Sequence, residues 1–371
     1  MSKDGAEKIE LSPHMVEQAG LILRKCDGLP LAISTIGRFL ATKPKTATEW
    51  RKTYDHISRD LEINPELRTI KTVLVRSYDG LPYHLKSCFL YLSIFPEDHK
   101  IMRKRIVRRW VVEGYAREMH GMTAEEVGDN YFDELLDRSM ILPGEKVNTR
   151  SGKVDSCQLH DIMRQICIWK AREENLSFTL EDGSCLSSTK GAVRHLGILS
   201  SNGKEDKDMF ERALDLSHVR SWTVFGEWGS YLISKKARFL RVLDLEGTDG
   251  LEDHHLNHIG DLIHLMYLSL RRCYEICRLP SSLGRLRNLQ TLDIRDTNVN
   301  RLPPSVTNLR KLQFLRADVL NGVPRGVRKL SALCTLGNVM VHVKRKHTLK
   351  ELAQLYQLRK LEIKGISERN N

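Results

Sequence analysis

At 371 residues, with 41% hydrophobic and 29% charged side chains, the chain has the length and composition of two or three soluble domains, and no run approaches the ~18 apolar residues of a transmembrane segment. The start, Met1-Ser-Lys-Asp-Gly-Ala-Glu7, lacks the basic flank and apolar stretch of a signal peptide, and the eight scattered cysteines include no CxxC pair, which excludes a disulfide framework or zinc site and fits an intracellular compartment. The net charge of +12 divides unevenly: residues 1–190 carry 29 Lys and Arg against 28 Asp and Glu, whereas residues 191–371 carry 30 against 19.

The N-terminal stretch reads as helical. Ser12-Pro13 supplies an N-cap and a first-turn proline, and Met15, Val16, Ala19, Ile22, Leu23 and Cys26 recur at helical spacing. Asp27-Gly28 breaks that helix, and Leu29-Pro30 opens a second through Leu31, Ile33, Ile36 and Leu40. Lys43-Pro44-Lys45 is a turn, and further helices are expected around Trp50–Leu61 and Leu67–Tyr78. About four short helices fit a small bundle over residues 1–95.

The next stretch, 96–182, has a different order. A helix over Ile101–Tyr115 presents Ile106, Val107, Trp110 and Val111, and Thr123-Ala-Glu-Glu126 is a capping box that starts another, with Val127, Tyr131, Leu135 and Leu136 on one face. Ile141–Leu159 has apolar ends around a polar turn at Asn148–Gly152, the pattern of a β-hairpin, and a third helix is expected from Asp161 to Glu174. This order is compatible with a winged-helix domain. Arg103, Lys104, Arg105, Arg108 and Arg109 could contact phosphates in DNA, but the near-neutral charge of this half and the scatter of its basic residues argue against nucleic acid.

From residue 190 a line of the form Leu-x-x-Leu-x-Leu recurs, starting at Val193, Val219, Leu240, Leu265, Leu289, Leu312, Leu333 and Leu358. Periods of about 20–29 residues with this line are the signature of leucine-rich repeats, each unit giving one strand of a curved solenoid. Leu279-Pro280 and Leu302-Pro303 mark the return segments of consecutive units, while the unit after Leu333 degrades and His342–His347 reads as a loop insertion. Cys273 and its equivalents Thr248 and Thr297 are expected to bond or pack within the repeat turn. Cys273 and Cys277 lack further ligands for a metal. Residues between the framework leucines alternate onto the concave face. One column reads Thr223, Asp244, Ser269, Asp293, Arg316 and Glu362; its neighbour reads Glu246, Arg271, Arg295, Asp318 and Lys364. Such mixed charges suit a polar protein partner, or they pair among themselves on a solvated sheet. The fold class is therefore multi-domain α+β: helical bundle, winged helix, then repeats over 190–371.

Three ordered motifs carry a family resemblance: Gly28-Leu29-Pro30-Leu31-Ala32; Ser77-Tyr78-Asp79-Gly80-Leu81-Pro82 with Cys88-Phe89-Leu90-Tyr91 and Ile94-Phe95-Pro96; and Gln158-Leu159-His160-Asp161. Ahead of such repeats, the set resembles the plant intracellular immune receptors of the nucleotide-binding, leucine-rich-repeat class, in its coiled-coil subclass. The resemblance implies a bundle and winged helix that close over ADP and hold the receptor off. It assigns Gly28, Leu29, Pro30, His160 and Asp161 to a vestigial nucleotide site, with Pro30 near the adenine and His160 at the β-phosphate, His160 standing where the triplet's histidine does and Leu159 where the family has Met. Without the resemblance, His160 is an ordinary helix-start residue.

No G-x-x-x-x-G-K-[ST] occurs in these 371 residues. That loop and its lysine supply most phosphate affinity, so an N-terminally truncated switch is expected, with no cofactor for this chain alone although ADP or ATP serves the intact family. No nucleophile–base set emerges, so an enzyme is not expected. The expected function is plant disease resistance in the cytoplasm, at the nucleus or at the plasma-membrane periphery. The partner-facing repeat residues would engage a pathogen effector or a guarded host protein. The alternative is an adaptor or decoy that binds a full-length receptor.

Overall fold

The computed structural model describes residues 12–26, 30–63, 68–145, 147, 152–181, 193–200, 215–229, 237–340 and 346–364. Five helices come first: α1 (Pro13–Cys26), α2 (Pro30–Ala41), α3 (Ala47–Ile63), α4 (Arg68–Asp79) and α5 (Tyr83–Tyr91). Ser12 Oγ accepts the Met15 N–H at 3.4 Å, which starts α1 where the Ser-Pro pair predicts. The sequence pattern does not predict α5, because Leu85 and Cys88–Tyr91 are all buried and leave no polar face to set a period. A 3₁₀ turn, Leu92–Ile94, follows it.

Next come β1 (Ile101–Met102), α6 (Arg103–Glu113), α7 (Ala124–Asp137), β2 (Leu142–Pro143), β3 (Ser156–Gln158) and α8 (Asp161–Glu173). The strands form an antiparallel sheet in the order β1-β3-β2, with Ile101 opposite Cys157 and Leu142 opposite Gln158. The helix expected from Ile101 therefore starts two residues late, because Ile101 and Met102 are taken by the sheet. The capping box at Thr123 forms with both of its hydrogen bonds. One apolar cluster joins Ile22, Phe89 and Phe95 to Trp110, Ile166 and Leu176, so the boundary expected at residue 95 falls inside a shared core.

The repeats make a nine-stranded parallel sheet: β4 (Ser177–Glu181), β5 (His195–Ser200), β6 (Ser221–Gly226), β7 (Val242–Asp244), β8 (Tyr267–Ser269), β9 (Thr291–Asp293), β10 (Phe314–Arg316), β11 (Thr335–Met340) and β12 (Lys360–Lys364). The middle leucine of each line is in register with the next, Leu243 with Leu268, Leu292, Leu315 and Leu336, and these side chains build a second core. The sheet begins at Ser177, ahead of the expected start at 190, because Leu176, Phe178 and Leu180 alternate into the core without the full leucine line. Return segments are 3₁₀ turns such as Ser281–Arg285 and Pro304–Asn308, each capped by the expected prolines, Pro280 and Pro303. They stack so closely that a Cβ on Gly284 would lie 2.6 Å from Ser305, and only glycine fits. Thr297 Oγ1 donates to Ile294 O at 2.7 Å within its own turn, whereas Cys273 Sγ reaches back to Leu245 O of the preceding repeat at 3.0 Å, and the buried Thr248 Oγ1 has no hydrogen-bond partner among the described residues. The expected insertion at His342–His347 lies outside the described residues up to 345, and its last two residues begin α9 (Lys346–Leu352).

Candidate functional site

The sequence reads α6 as a helix with one apolar face, yet it is buried on two sides. Ile106, Val107 and Trp110 face the shared core, while Arg105 and Arg109, one turn apart, sit on the concave face of the first repeats. Arg109 Nη1 meets Asp244 Oδ2 at 2.8 Å and Arg105 Nε meets the same oxygen at 2.7 Å, with Asp244 and Arg109 both 0% exposed. Burial alone would push the Asp244 carboxyl up, but Arg105 and Arg109 outweigh it and hold the acid below its ordinary range. Arg109 also donates to Tyr91 Oη at 2.9 Å and to Thr223 Oγ1, and Val112 packs against Val242 and Tyr267.

The junction continues around α5. The Tyr91 and Ser221 hydroxyls lie 2.6 Å apart, Thr179 Oγ1 donates to Ser93 O at 3.1 Å, and Ser177 Oγ donates to Leu90 O at 3.5 Å. Strand β5 runs so close to the 3₁₀ turn that a Cβ on Gly197 would lie 2.7 Å from Ile94 O. The Cys88–Phe95 motif is thus the seam between helices and repeats. Beside it, Tyr115 Oη and His195 Nε2 are 2.6 Å apart, and His195 Nδ1 lies 3.9 Å from Glu113 Oε1. Neither of those last two atoms has a hydrogen bond among the described residues.

Beyond Asp244 the concave face opens into a cleft of about 410 Å³ between α6 and the middle repeats. Of the residues expected to face a partner, Glu246, Arg271, Asp293, Arg295 and Arg316 come together on its wall. Asp318 and Glu362 line an adjoining hollow of about 260 Å³. Asp244 does not join them: expected to face a partner, it is covered by α6, as is Thr223, because Arg105 and Arg109 satisfy both from within the chain. Ser269 is buried too, its hydroxyl without a hydrogen-bond partner among the described residues. Lys364 ends β12, and its side chain is not described. Of the two pairings expected between the columns, Asp293–Arg295 forms, as a fork at 2.9 and 2.6 Å, whereas Arg316 lies 3.7 Å from Asp293 instead of pairing with Asp318, which accepts from the Asp296 N–H. Glu246 lies 3.2 Å from Arg105 and 3.3 Å from Arg271. The other basic residues of α6 also have acidic partners: Arg103 pairs with Asp129 and Asp133, Lys104 with Asp129, and Arg108 with Glu125 at 2.9 Å.

The residues that the resemblance places around a nucleotide are arranged differently. Gly28 and Leu29 lie outside the described residues; Pro30 is the first residue of α2, and its side chain is not described. His160 caps α8: its Nδ1 accepts the Ile162 N–H at 3.2 Å and its Nε2 lies 2.9 Å from Cys26 O. Both ring nitrogens are engaged, and the ring ties the end of α1 to the start of α8. Asp161 is pushed up to about 6 by burial and by the charges of Glu97 and Asp98. A cap with both nitrogens taken, beside three carboxylates, does not fit a phosphate as the described residues stand. Among those residues no group of three or more His, Cys, Asp or Glu is placed to hold a metal, and no helix is long and apolar enough to cross a membrane.

Sequence reasoning missed the docking role of Arg105 and Arg109, whose signal was two arginines at i and i+4 on a helix opposite short polar residues in the first repeat columns.

Comparison with known proteins agrees with this architecture. Residues 94–167 match the family described as Disease resistance protein Winged helix domain, and residues 218–371 match Leucine-rich repeat region. The rice (Oryza sativa subsp. japonica) Disease resistance protein Pik-2 is 37% identical over 293 residues, 78% of this chain and 28% of its own. The Arabidopsis thaliana Probable disease resistance protein RF45 is 33% identical over 383 aligned positions, 99% of this chain and 36% of its own. The chain thus spans about a third of the length of such relatives. A solved Leptospira interrogans leucine-rich-repeat protein is similar at 18% identity with a TM-score of 0.34, over 46% of this chain and 50% of that one. With helices, wing and repeats in this order and these relatives, the chain belongs to the plant disease resistance proteins of the nucleotide-binding, leucine-rich-repeat class.

Proposed function

We propose that the chain is the regulatory and recognition part of a plant immune receptor that works inside the cell, in the cytoplasm. The open part of its concave face engages a pathogen effector or a guarded host protein, and the docked winged helix keeps the receptor quiet until that happens. The observation that carries this is the seating of Arg105 and Arg109 on Asp244, a buried contact that joins the helical half to the repeats. A two-state contact between a regulatory element and a recognition surface is what a partner needs in order to bias a switch. The chain's own residues supply recognition and restraint rather than catalysis, and His160 acts as a joint between α1 and α8. Binding of ADP or ATP belongs to the intact receptor.

The test is genetic. Disrupting the coding sequence in the plant that carries it, then challenging with a panel of pathogen isolates, should abolish resistance to at least one isolate. A wild-type copy should restore resistance, and an Arg109→Ala copy should cause leaf-cell death without challenge. Unchanged resistance across the panel, together with a quiet Arg109→Ala leaf, would overturn the reading.

A further inference from the structure

The cleft between α6 and the concave strands has a lopsided charge. Seven of its lining residues are Lys or Arg and three are Asp or Glu. Two of those acids are committed, Asp293 to the Arg295 fork and Glu246 to Arg105 and Arg271; Asp155 is the third. Arg316 is left with Asp293 at 3.7 Å, beyond hydrogen-bond reach, and no hydrogen bond to it forms among the described residues. Burial pushes its guanidinium down to about 10 despite Asp293, with Arg295 and Arg108 adding to the effect, while 30% of the side chain stays open to the cleft. Arg108 stands nearby as a fixed wall, its guanidinium 3.7 Å over the Phe314 ring. Arg105, 7% exposed, keeps one buried nitrogen, Nη2, without a hydrogen-bond partner.

Arg316 also lines the adjoining hollow, so the two spaces are continuous along the repeats. The second hollow holds an unpartnered group of opposite character, the buried Asn338 Oδ1. The first hollow therefore calls for acceptors and the second for a donor. A small polyanion offers acceptors alone. An extended polypeptide offers side-chain carboxylates and, a few ångströms along, backbone N–H groups.

We propose that this continuous cleft receives an extended acidic segment of a protein partner, a carboxylate of which seats on Arg316. The inference rests on the recognition role argued above and specifies the chemistry of what is recognised. Arg316 gains a hydrogen-bonded carboxylate beyond its 3.7 Å contact with Asp293, and the segment meets α6 on one side and β9 to β11 on the other.

The experiment uses the full chain and three probes measured by calorimetry at physiological ionic strength: blocked hexaglutamate, blocked hexaglutamine and tripolyphosphate. Hexaglutamate should bind and hexaglutamine should not. Arg316→Gln should weaken hexaglutamate about tenfold or more, a change of about 1.4 kcal/mol, and Arg316→Lys, which keeps the charge but loses the fork, should fall between. Arg285→Gln, on an exposed return segment, should bind as wild type, with circular dichroism confirming that each variant is folded. No binding of hexaglutamate, or equal binding by Arg316→Gln, would overturn the proposal. Tripolyphosphate that binds more tightly than hexaglutamate and depends on Arg316 would also overturn it, in favour of a small polyanion. If hexaglutamate fails while disruption of the gene still costs resistance, the cleft inference falls and the receptor reading stands.

Discussion

Glu113 and His195 face each other 3.9 Å apart in a buried site at the seam, with Tyr115, Tyr91 and Arg109 around them. Burial pushes the Glu113 carboxyl from 4.5 up to about 7 against the pull of Arg241, Arg220 and Arg109, and burial drives His195 well below its ordinary 6.5, aided by Arg109, Arg194 and Arg220. The folded state holds the Glu113 proton more tightly than the unfolded chain. The stability this contributes is full below 4.5 and is lost as pH rises through about 7. His195 acts in the other direction, contributing above 6.5 and losing as pH falls. The two slopes oppose each other over the shared window. We expect His195→Gln to unmask a loss of up to about 3 kcal/mol between pH 4.5 and 7, and Glu113→Gln to unmask a loss below about pH 6.5. Urea unfolding across a pH series checks both, and parallel profiles for wild type and both variants would dispose of the pair. The sequence shows His160 at a helix start but not its partner, because Cys26 lies 134 residues away and no local rule links them.

At the scale of elements, α6 shows how far periodicity reaches. Ile106, Val107 and Trp110 mark its core face correctly, but Arg103, Arg105, Arg109 and Glu113 are buried too. Hydropathy scores charged residues as solvent-facing, and only a second surface bearing Asp244 and Thr223 makes the burial of Arg105 and Arg109 possible, while Arg103 is held by Asp129 and Asp133 of α7. Two glycines test the packing with opposite sign. Gly197→Ala forces a Cβ against Ile94 O and should lower stability by about 1–3 kcal/mol. Gly20→Ala, in the middle of α1 with no atom within 4 Å of the added carbon, should raise it by about 0.5–1 kcal/mol. Thermal unfolding of the two variants decides, and a stable Gly197→Ala would mean that β5 does not press on the 3₁₀ turn.

Among the described residues there are two large apolar cores, one in the helices and wing and one along the repeats, with a small cluster of Val112, Val242 and Tyr267 between them. The Arg105–Asp244–Arg109 contact bridges them, and removing one partner of a buried pair costs about 3–5 kcal/mol. Asp244→Asn should therefore split one thermal transition into two in calorimetry; a single transition at the wild-type midpoint would show that the cores are coupled elsewhere. The repeats, the wing, the capped helices and the family were legible in the sequence, because leucine spacing, turn residues and caps act within a few residues of themselves. Which end of the concave face stays open, where Arg105 and Arg109 go, and what His160 holds were decided by tertiary structure. Those outcomes depend on charges brought together across more than a hundred residues, where water is excluded and a carboxylate either finds its arginine or is not buried at all.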